Sequence, residues 1–295
     1  MKEKVIYALG FFDGVHLGHR ALLTACRHLA ERAGCKAGAV TFDVHPESLV
    51  AGHAPALLTS VRDREALLLT LGQLDALQVL PFDQALRTQN WRDFLENLIQ
   101  KGAAGFVCGD DFRFGYRGEG NAALLSDFCR EQGLLWAIVP GQTLDGERIS
   151  STRIRLLLEQ GQMEQAVRLL GHPHVLSGSV IPGRGLGHTI GIPTANLQIP
   201  EGVLLPKRGV YACQALVDGF LYPAVTNIGL RPTVEGHHIT VEPWLLDFDG
   251  DLYGKTVFLH FHAYLRPEEK FASLEELKAQ ILKDAAKTRK IFEKP

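Results

Sequence analysis

The hydrophobic pattern of this 295-residue chain changes near Gly171, and that change limits the folds it can adopt. Before Gly171, short apolar runs of strand length alternate with amphipathic stretches of helical period. This alternation predicts a parallel sheet with helices on its faces. After Gly171, strand-length runs follow one another between Gly, Pro and Asp turns, up to an amphipathic segment near the end of the chain. We therefore predict an α/β domain in residues 1–171, and an antiparallel sheet or barrel with a terminal helix in residues 172–295.

The composition is that of an ordinary globular protein and disfavours several classes of partner. Hydrophobic residues make up 46% of the chain, charged residues make up 22%, and the formal net charge is -2. This balance does not favour nucleic acid or an anionic membrane as a partner. The sequence contains no run of 18 apolar residues, so we predict no membrane-spanning helix. The five cysteines form no C-x-x-C pair, which suits a reducing cytoplasm better than a disulfide or zinc site.

Residues 10–19, with the sequence G-F-F-D-G-V-H-L-G-H, link the first predicted strand to the first predicted helix. His16 and His19 lie three residues apart at the helix entrance, so they face the same way as the free backbone N–H groups. A helix N-terminus favours anions, especially phosphates. Gly14 and Gly18 allow a ligand to approach the backbone closely. A glycine-rich turn with two surface histidines is the alternative, whereas zinc would need at least one further ligand.

Three further motifs lie where an α/β sheet places its ligand. Residues 149–155, I-S-S-T-R-I-R, gather hydroxyls, backbone amides and arginines at another helix start, which exceeds what an ordinary helix cap needs. Residues 41–46, T-F-D-V-H-P, and residues 108–115, C-G-D-D-F-R-F-G, follow predicted strands. Ligands of parallel sheets bind at the carboxyl ends of the strands. These motifs therefore predict a phosphate-binding site at that edge of the sheet.

The second half contains an unusual glycine-rich loop at residues 183–196, G-R-G-L-G-H-T-I-G-I-P-T-A-N. Its backbone N–H groups could surround a phosphate, although the loop lacks the G-K-[ST] ending of a Walker loop. Thr194 and Asn196 offer neutral oxygens suited to a Mg²⁺ ion that also binds ATP. A flexible linker is the alternative. The acidic residues between 247 and 251 fail the spacing of a calcium loop, so a hairpin turn accounts for them better.

Together, the N-terminal motifs resemble the nucleotidyltransferase superfamily, and more closely the adenylyltransferase module of bacterial bifunctional riboflavin kinase/FAD synthetases. The resemblance implies a Rossmann-like domain in which His16, His19 and Arg155 act in catalysis, with the two histidines binding the phosphates of ATP and stabilising the transition state. This is catalysis by positioning and charge stabilisation, without a covalent enzyme intermediate. The resemblance further implies nucleotide and flavin contacts by Gly10, Phe12, Asp13, Phe42, His45, Gly109, Asp110, Asp111, Ser151 and Thr152.

From about residue 172 onward, the chain resembles riboflavin kinases in the motifs P-T-A-N, N-I-G-L-R-P-T, L-D-F-D-G-D-L-Y-G and R-P-E-E-K-F-A-S-L-E-E-L-K. The resemblance implies a six-stranded antiparallel barrel whose C-terminal helix closes over the flavin. It implies that Glu242 is the general base for the ribityl hydroxyl, and that Thr194 and Asn196 hold Mg²⁺ with ATP. The other implied nucleotide and flavin contacts are Gly183, Gly185, Gly187, Asn227 and Arg266.

The chain departs from the family pattern at several motif positions. The family usually has proline where Val44 stands, and commonly has Lys or Arg where the glycine-rich loop has Leu186 and His188. It commonly has Thr-His after the catalytic glutamate, where this chain has Pro243 and Trp244. The altered loop could weaken ATP binding, and the altered dipeptide could change how the glutamate is aimed.

The motifs and the resemblance predict a cytoplasmic enzyme that converts riboflavin and ATP to FMN, then FMN and ATP to FAD and pyrophosphate, both with Mg²⁺. The changed glycine loop motivates an alternative, a single-function FAD synthetase whose barrel binds flavin without phosphorylating it. A second alternative is a non-catalytic flavin or nucleotide sensor, which the intact catalytic motifs disfavour. We expect ATP, riboflavin and FMN as partners, no nucleic acid or membrane, and a monomer or weak homo-oligomer.

Overall fold

The computed structural model describes residues 3–50, 55–183, 187, 190–233 and 236–293. The chain folds into two compact units. The first comprises Met1–Leu57 and Val61–Ser151, and the second comprises Leu58–Ser60 and Thr152–Pro295. Each unit has its own sheet, as the change in hydrophobic pattern predicted.

The first unit contains a parallel sheet and its covering helices. Its strands are β1 Val5–Leu9, β2 Lys36–Phe42, β3 Ala76–Leu80, β4 Ala103–Gly109, β5 Arg113–Phe114, β6 Gly120–Asn121, β7 Leu135–Val139, β8 Thr143–Leu144 and β9 Glu147–Arg148. Its helices are α1 Leu17–Ala33, α2 Pro46–Val50, α3 Val61–Gly72, α4 Gln84–Thr88, α5 Trp91–Gln100 and α6 Ala122–Gln132, with a 3₁₀ turn at Tyr116–Gly118.

In the described part of the chain, five parallel strands form the main sheet in the order β3-β2-β1-β4-β7. The predicted α/β fold is therefore confirmed. Strand β1 is buried along its whole length because hydrophobic clusters cover both faces of the sheet: Tyr7 and Leu9 belong to one cluster, and Ile6 and Ala8 to the other. The strand order reverses between β1 and β4, which makes the carboxyl ends of these two strands the expected ligand-binding edge.

Side chains at the helix ends explain where the helices begin. The sequence predicted the first helix from residue 20, but α1 begins at Leu17 because His16 caps it. The backbone N–H of His19 donates to Nδ1 of His16 at 3.2 Å, which satisfies one free N–H group of the first turn. The helix ends at Gly34, whose φ of 62° places it in the left-handed region that favours glycine.

The second unit begins with two helices and continues as a barrel. The helices are α7 Ser151–Gln160, which starts one residue ahead of the unit, and α8 Met163–Leu170, followed at the end of the chain by α9 Leu274–Phe292. The strands are β10 His174–Ile181, β11 Asn196–Gln198, β12 Gly209–Val217, β13 Phe220–Thr233, β14 Gly236–Leu245 and β15 Thr256–Arg266. The described strands close into a barrel in the order β10-β11-β14-β13-β12-β15, with antiparallel neighbours throughout, which confirms the predicted six-stranded barrel and terminal helix.

One sequence expectation for the second unit stays a prediction, and another is wrong. Helix α8 packs against β10 and β15, so it belongs to the compact unit that contains the barrel, which begins at Thr152 after the Leu58–Ser60 segment. The predicted boundary between the two functional domains at Gly171 stays a prediction. The predicted hairpin turn between residues 247 and 251 is wrong. Strand β14 pairs with β11 and β13 and not with β15, so this segment is a loop that connects strands which are not neighbours.

No helix among the described residues is long and apolar enough to cross a membrane.

Candidate active sites

A cavity of about 220 Å³ lies in the first unit at the carboxyl ends of β1, β4 and β7. We call it the switch-point cavity, because the strand order of the sheet reverses there. It brings together residues from three of the predicted motifs, which are far apart in the chain. The predicted site residues that line it are Gly10, Phe12, His16, His19, Gly109, Asp110, Asp111 and Ser151.

The two histidines of this cavity are stacked. The rings of His16 and His19 are nearly parallel, with centroids 3.6 Å apart, and the Phe12 ring meets His19 edge-on at 5.3 Å. Burial lowers the pKa of His19 well below its usual value, and the neighbouring His16 and the Arg64 charge lower it further. His19 is therefore neutral at neutral pH, and its neutral ring provides one N–H donor and one acceptor.

The loop before α1 has a strained backbone. Phe12 and Val15 adopt positive φ angles of 59° and 42°, which are uncommon for non-glycine residues, and both side chains are fully buried. The rings pack closely against two glycines: a Cβ at Gly10 would overlap the Phe12 ring at 2.9 Å, and one at Gly18 would make a tight contact of 3.1 Å with the His16 ring. The two glycines thus allow the ring packing that fixes both histidines.

The carboxylates of the fourth motif are held by a residue that the sequence analysis missed. Arg148 forms ion pairs with Asp111 at 2.7 Å and with Asp110 at 3.5 Å, all three side chains being exposed. Asp110 also accepts a hydrogen bond from the backbone N–H of Gly141 at 3.2 Å. Arg148 lines the switch-point cavity and stands directly before the I-S-S-T-R-I-R motif, which is the one signal that could have identified it.

A second cavity of the first unit, of about 470 Å³, is mainly apolar. We call it the aromatic cavity, since Phe42, Phe82, Phe94, Phe114 and Tyr116 line it together with Arg87, Arg113 and Arg117. Phe42 is the predicted site residue that it contains, and it ends β2. The cavity can therefore take a flat aromatic ligand against phenylalanine side chains, with arginines near an anionic group.

The other predicted residues of the first site lie outside these cavities. Asp13 is buried and its backbone carbonyl accepts a hydrogen bond from Oγ of Ser151 at 2.9 Å. The His45 ring meets the Phe11 ring edge-on at 4.7 Å, and Phe11 lines the switch-point cavity. Thr152 and Arg155 lie in α7 within the second compact unit, and their roles stay predictions.

Two cavities lined by described residues of the barrel unit share Thr194. The barrel-end cavity, of about 420 Å³, contains Gly183, Asn196, Pro243 and the loop after β14. The helix-side cavity, of about 340 Å³, lies between the barrel and α9. It brings together the predicted residues Gly187, Asn227, Glu242 and Arg266, along with Trp244, Leu274, Leu277, Ile281 and Asp284.

The alternation of side chains along β14 separates the two barrel cavities. Glu242 and Trp244 line the helix-side cavity, whereas Pro243 and Leu245 line the barrel-end cavity. Successive side chains of a strand point to opposite faces, so one strand contributes to both. In the ladder Glu242 lies opposite Asn227 of β13. These two predicted residues therefore sit together in the cavity that α9 covers.

Two glycines of the glycine-rich loop, Gly183 and Gly187, lie against the predicted magnesium ligands. A Cβ at Gly183 would overlap the side-chain amide of Asn196, and a Cβ at Gly187 would overlap the carbonyl of Ile192 and lie 3.0 Å from Oγ1 of Thr194. A side chain at position 187 would clash with backbone, whereas one at position 183 would displace the Asn196 amide. Gly185, Leu186 and His188 lie outside the described residues.

A buried ion pair fixes the predicted residue Arg266. Its Nε donates to Oδ2 of Asp284 at 2.8 Å, and Asp284 is fully buried. Gln280, one turn before Asp284 on α9, donates to Oδ1 of the same carboxylate at 3.1 Å. The sequence analysis missed Asp284. The sequence feature that could have identified it is a carboxylate beside the apolar face of the terminal helix, because carboxylates rarely pack against a core.

Comparisons with known proteins agree with this arrangement. The FAD synthetase family model matches residues 1–153, and the riboflavin kinase family model matches residues 170–292. The bifunctional riboflavin kinase/FMN adenylyltransferase of Escherichia coli K12 is 39% identical over 99% of this chain and 94% of that protein. The chain belongs to this bifunctional family. It is therefore a transferase, with one family domain for each reaction.

Other members and one solved structure extend the likeness over both units. The bifunctional riboflavin kinase/FMN adenylyltransferase of Listeria monocytogenes is 35% identical over 98% of this chain and 93% of that protein. A crystal structure from Streptococcus pneumoniae, named as a macrolide-efflux protein, superposes with a TM-score of 0.86 at 29% identity. It covers 98% of this chain and 95% of that chain. The kinase/adenylyltransferase fold is thus shared over nearly the whole chain.

Proposed function

We propose that this kinase/adenylyltransferase makes FMN in the barrel unit and FAD in the parallel-sheet unit, each with its own ATP site. One observation carries the proposal most strongly. The barrel-end and helix-side cavities meet at Thr194, and Glu242 faces the second of them. A nucleotide and a flavin bound in adjoining cavities would bring a phosphoryl donor to a hydroxyl beside a carboxylate. That is the geometry that phosphorylation of riboflavin requires.

For the kinase step, we propose that riboflavin binds in the helix-side cavity and ATP in the barrel-end cavity. The Glu242 carboxylate accepts the proton of the ribityl hydroxyl while that oxygen attacks the γ-phosphorus, and ADP leaves. A positioned base of this kind contributes about 10²–10⁴ in rate. Asn227 lies opposite Glu242 and Arg266 is fixed by Asp284, so both can orient the flavin beside the base.

The predicted magnesium ligands fit an ion that arrives with the nucleotide. Thr194 and Asn196 supply neutral oxygens at the wall of the barrel-end cavity, where Gly187 and Gly183 pack closely against their side chains. Mg²⁺ bound by few protein groups keeps its remaining ligands from phosphate and water. When bound, the ion would neutralise charge on the phosphates of ATP.

For the adenylyl transfer, we propose that ATP binds in the switch-point cavity and FMN places its ring in the aromatic cavity. An oxygen of the FMN phosphate attacks the α-phosphorus of ATP, and pyrophosphate leaves. His16, His19 and the N-terminus of α1 lie where they can bind the phosphates, so they stabilise the charge that develops. Ser151 of the second motif lines the same cavity, and Arg155 follows on α7.

Pro243 and Trp244, which stand where the family commonly has Thr-His, leave the strand geometry around Glu242 intact. Pro243 faces the barrel-end cavity, and its carbonyl accepts a hydrogen bond from the backbone N–H of Ala195 at 2.9 Å. Trp244 lies opposite Val225 in the ladder and packs beside Ala285 of α9. Because β14 keeps its register through both residues, Glu242 stays in the helix-side cavity. This supports an active kinase half over the single-function alternative.

The compartment and assembly remain proposals. All five cysteines are free thiols in the structure, and four of them are buried, which supports a reducing cytoplasm. We propose that ATP, riboflavin and FMN are the partners of the protein and that it acts as a monomer or weak homo-oligomer, without nucleic acid or membrane.

A time course of flavin products tests the proposed function. Purified full-length protein is incubated with riboflavin, ATP and Mg²⁺, and the flavins are separated by chromatography. FMN followed by FAD is the expected result. Unchanged riboflavin in a sample that still converts added FMN to FAD would establish the single-function alternative. No product from either flavin would favour the sensor.

A further inference from the structure

Arg64 of α3 is a buried cation that no predicted motif includes. Its side chain is fully buried, and its guanidinium carbon lies 4.2 Å from the centroid of the Phe11 ring. Nη2 donates to the backbone carbonyl of Phe42. Its Nε and Nη1 groups are buried and have no hydrogen-bond partner within the part of the chain that the structure describes.

The two residues that Arg64 contacts belong to different cavities. Phe11 lines the switch-point cavity, and Phe42 lines the aromatic cavity. The hydroxyl of Thr41 adds a second link, because its Oγ1 donates to the Phe11 carbonyl at 2.8 Å. Arg64 therefore connects a residue that lines one cavity to a residue that lines the other. The proposed adenylyl transfer requires the FMN phosphate to reach the α-phosphate of ATP, so the reacting groups would meet between these two cavities.

The stability of the fold does not explain a charge at this position. A buried guanidinium with unpartnered N–H groups is costly, and apolar side chains of similar volume often replace buried charges without loss of stability. Burial lowers the pKa of Arg64, while the nearby carboxylates of Asp13, Glu65 and Asp43 oppose that change. The guanidinium nevertheless stays charged at neutral pH. Its field reaches His19, whose pKa it helps to lower.

We propose that Arg64 is a positioning residue for adenylyl transfer. It holds Phe11 of the switch-point cavity and Phe42 of the aromatic cavity in a fixed relation, and its charge favours the phosphoryl groups that react between the two cavities. The inference rests on the proposed assignment of adenylyl transfer to the switch-point cavity. It predicts that removing the charge impairs FAD formation without impairing the fold.

The test compares Arg64→Met, Arg64→Gln and Arg64→Lys in the full-length protein. For conversion of FMN to FAD, we expect the neutral variants to lose about 10²-fold in kcat/KM, the effect typical of losing one charge-stabilising group. Arg64→Lys should recover most of this activity because it keeps the charge. The unfolding temperature of Arg64→Met should match or exceed that of the wild type. Arg62→Met, at an exposed position of the same helix, is the matched control and should change neither property.

Several results would overturn the inference. If Arg64→Met converts FMN to FAD with the native kcat/KM, the charge of Arg64 has no role in the reaction. If activity falls in proportion to the unfolding temperature across the three variants, the role of Arg64 is structural. The same conclusion follows if both neutral variants fail to fold. His19→Ala is measured in parallel. If it retained FAD formation, the proposed site itself would be wrong, whereas loss in His19→Ala with native activity in Arg64→Met would contradict the Arg64 inference alone.

Discussion

At the scale of single residues, the chemistry depends on side chains whose surroundings fix their charge or position. His19 is half-buried and stacked on His16, and desolvation together with the neighbouring His16 and Arg64 lowers its pKa. Glu242 lies opposite Asn227 in the helix-side cavity, which shares Thr194 with the barrel-end cavity proposed for ATP. The motifs identified these residues because each lies in a dense local string. They could not identify Arg64 or Asp284, since each acts alone within an ordinary helix, and only tertiary packing brings it to a site.

Gly187→Ala should impair the kinase step alone. The added Cβ would overlap the carbonyl of Ile192 and press on Oγ1 of Thr194, so the predicted magnesium ligand moves. We expect a loss of about 10²-fold in riboflavin phosphorylation, the typical result of a misplaced reacting group. Steady-state kinetics of both steps in the same preparation provide the check. Native phosphorylation in this variant would show that the loop does not position Thr194.

His174 should make the barrel sensitive to acid. Burial lowers its pKa from 6.5 to about 3, and its Nε2 has no hydrogen-bond partner among the described residues. Because the unfolded chain binds a proton below pH 6.5 and the folded chain does not, stability falls as the pH drops below 6.5. At pH 5 the loss is at most about 2 kcal/mol for this group. Urea unfolding at pH 7 and pH 5 measures it, and His174→Leu should reduce the difference.

At the scale of secondary-structure elements, hydrophobic period predicted the helices well and the barrel strands less well. Hydrophobic periodicity predicts helices over residues 91–100, 122–132 and 163–170, and α5, α6 and α8 have these bounds because each has a clear apolar face. The apolar run at residues 221–225 predicts a short strand, but β13 runs from Phe220 to Thr233. Its second part contains glycine and proline, which are typical of turns, and only the pairing with β14 makes it a strand.

Helix α9 is held over the helix-side cavity by two ion pairs that should differ in importance. Asp284→Ala removes the buried partner of Arg266 and leaves it only the marginal 4.0 Å ion pair with the exposed Glu269, so we expect about 3 kcal/mol less stability and a higher KM for riboflavin. Asp247→Ala is the matched control, because the Asp247–Arg289 pair is exposed and contributes little. Thermal unfolding and kinase kinetics measure both variants. Equal effects of the two substitutions would show that the buried pair does not position Arg266.

At the scale of the whole molecule, the described residues of each compact unit line one cavity proposed for a nucleotide and one proposed for a flavin. The sequence predicted the two fold classes and at least one lining residue of each of these cavities, because the motifs follow strand ends whose positions the hydrophobic pattern indicates. It could not show that the barrel cavities meet at Thr194 or that Phe42 lies in a separate aromatic cavity. Both facts depend on tertiary packing that brings together segments distant in the chain.

The most direct test of separate sites compares Glu242→Gln and His19→Ala in the full-length protein. Each variant is supplied with ATP and Mg²⁺ and with either riboflavin or FMN, and the products are followed by chromatography. We expect Glu242→Gln to form no FMN from riboflavin while converting FMN to FAD at the native rate. His19→Ala should accumulate FMN and form no FAD. Loss of both steps in either folded variant would contradict two independent sites.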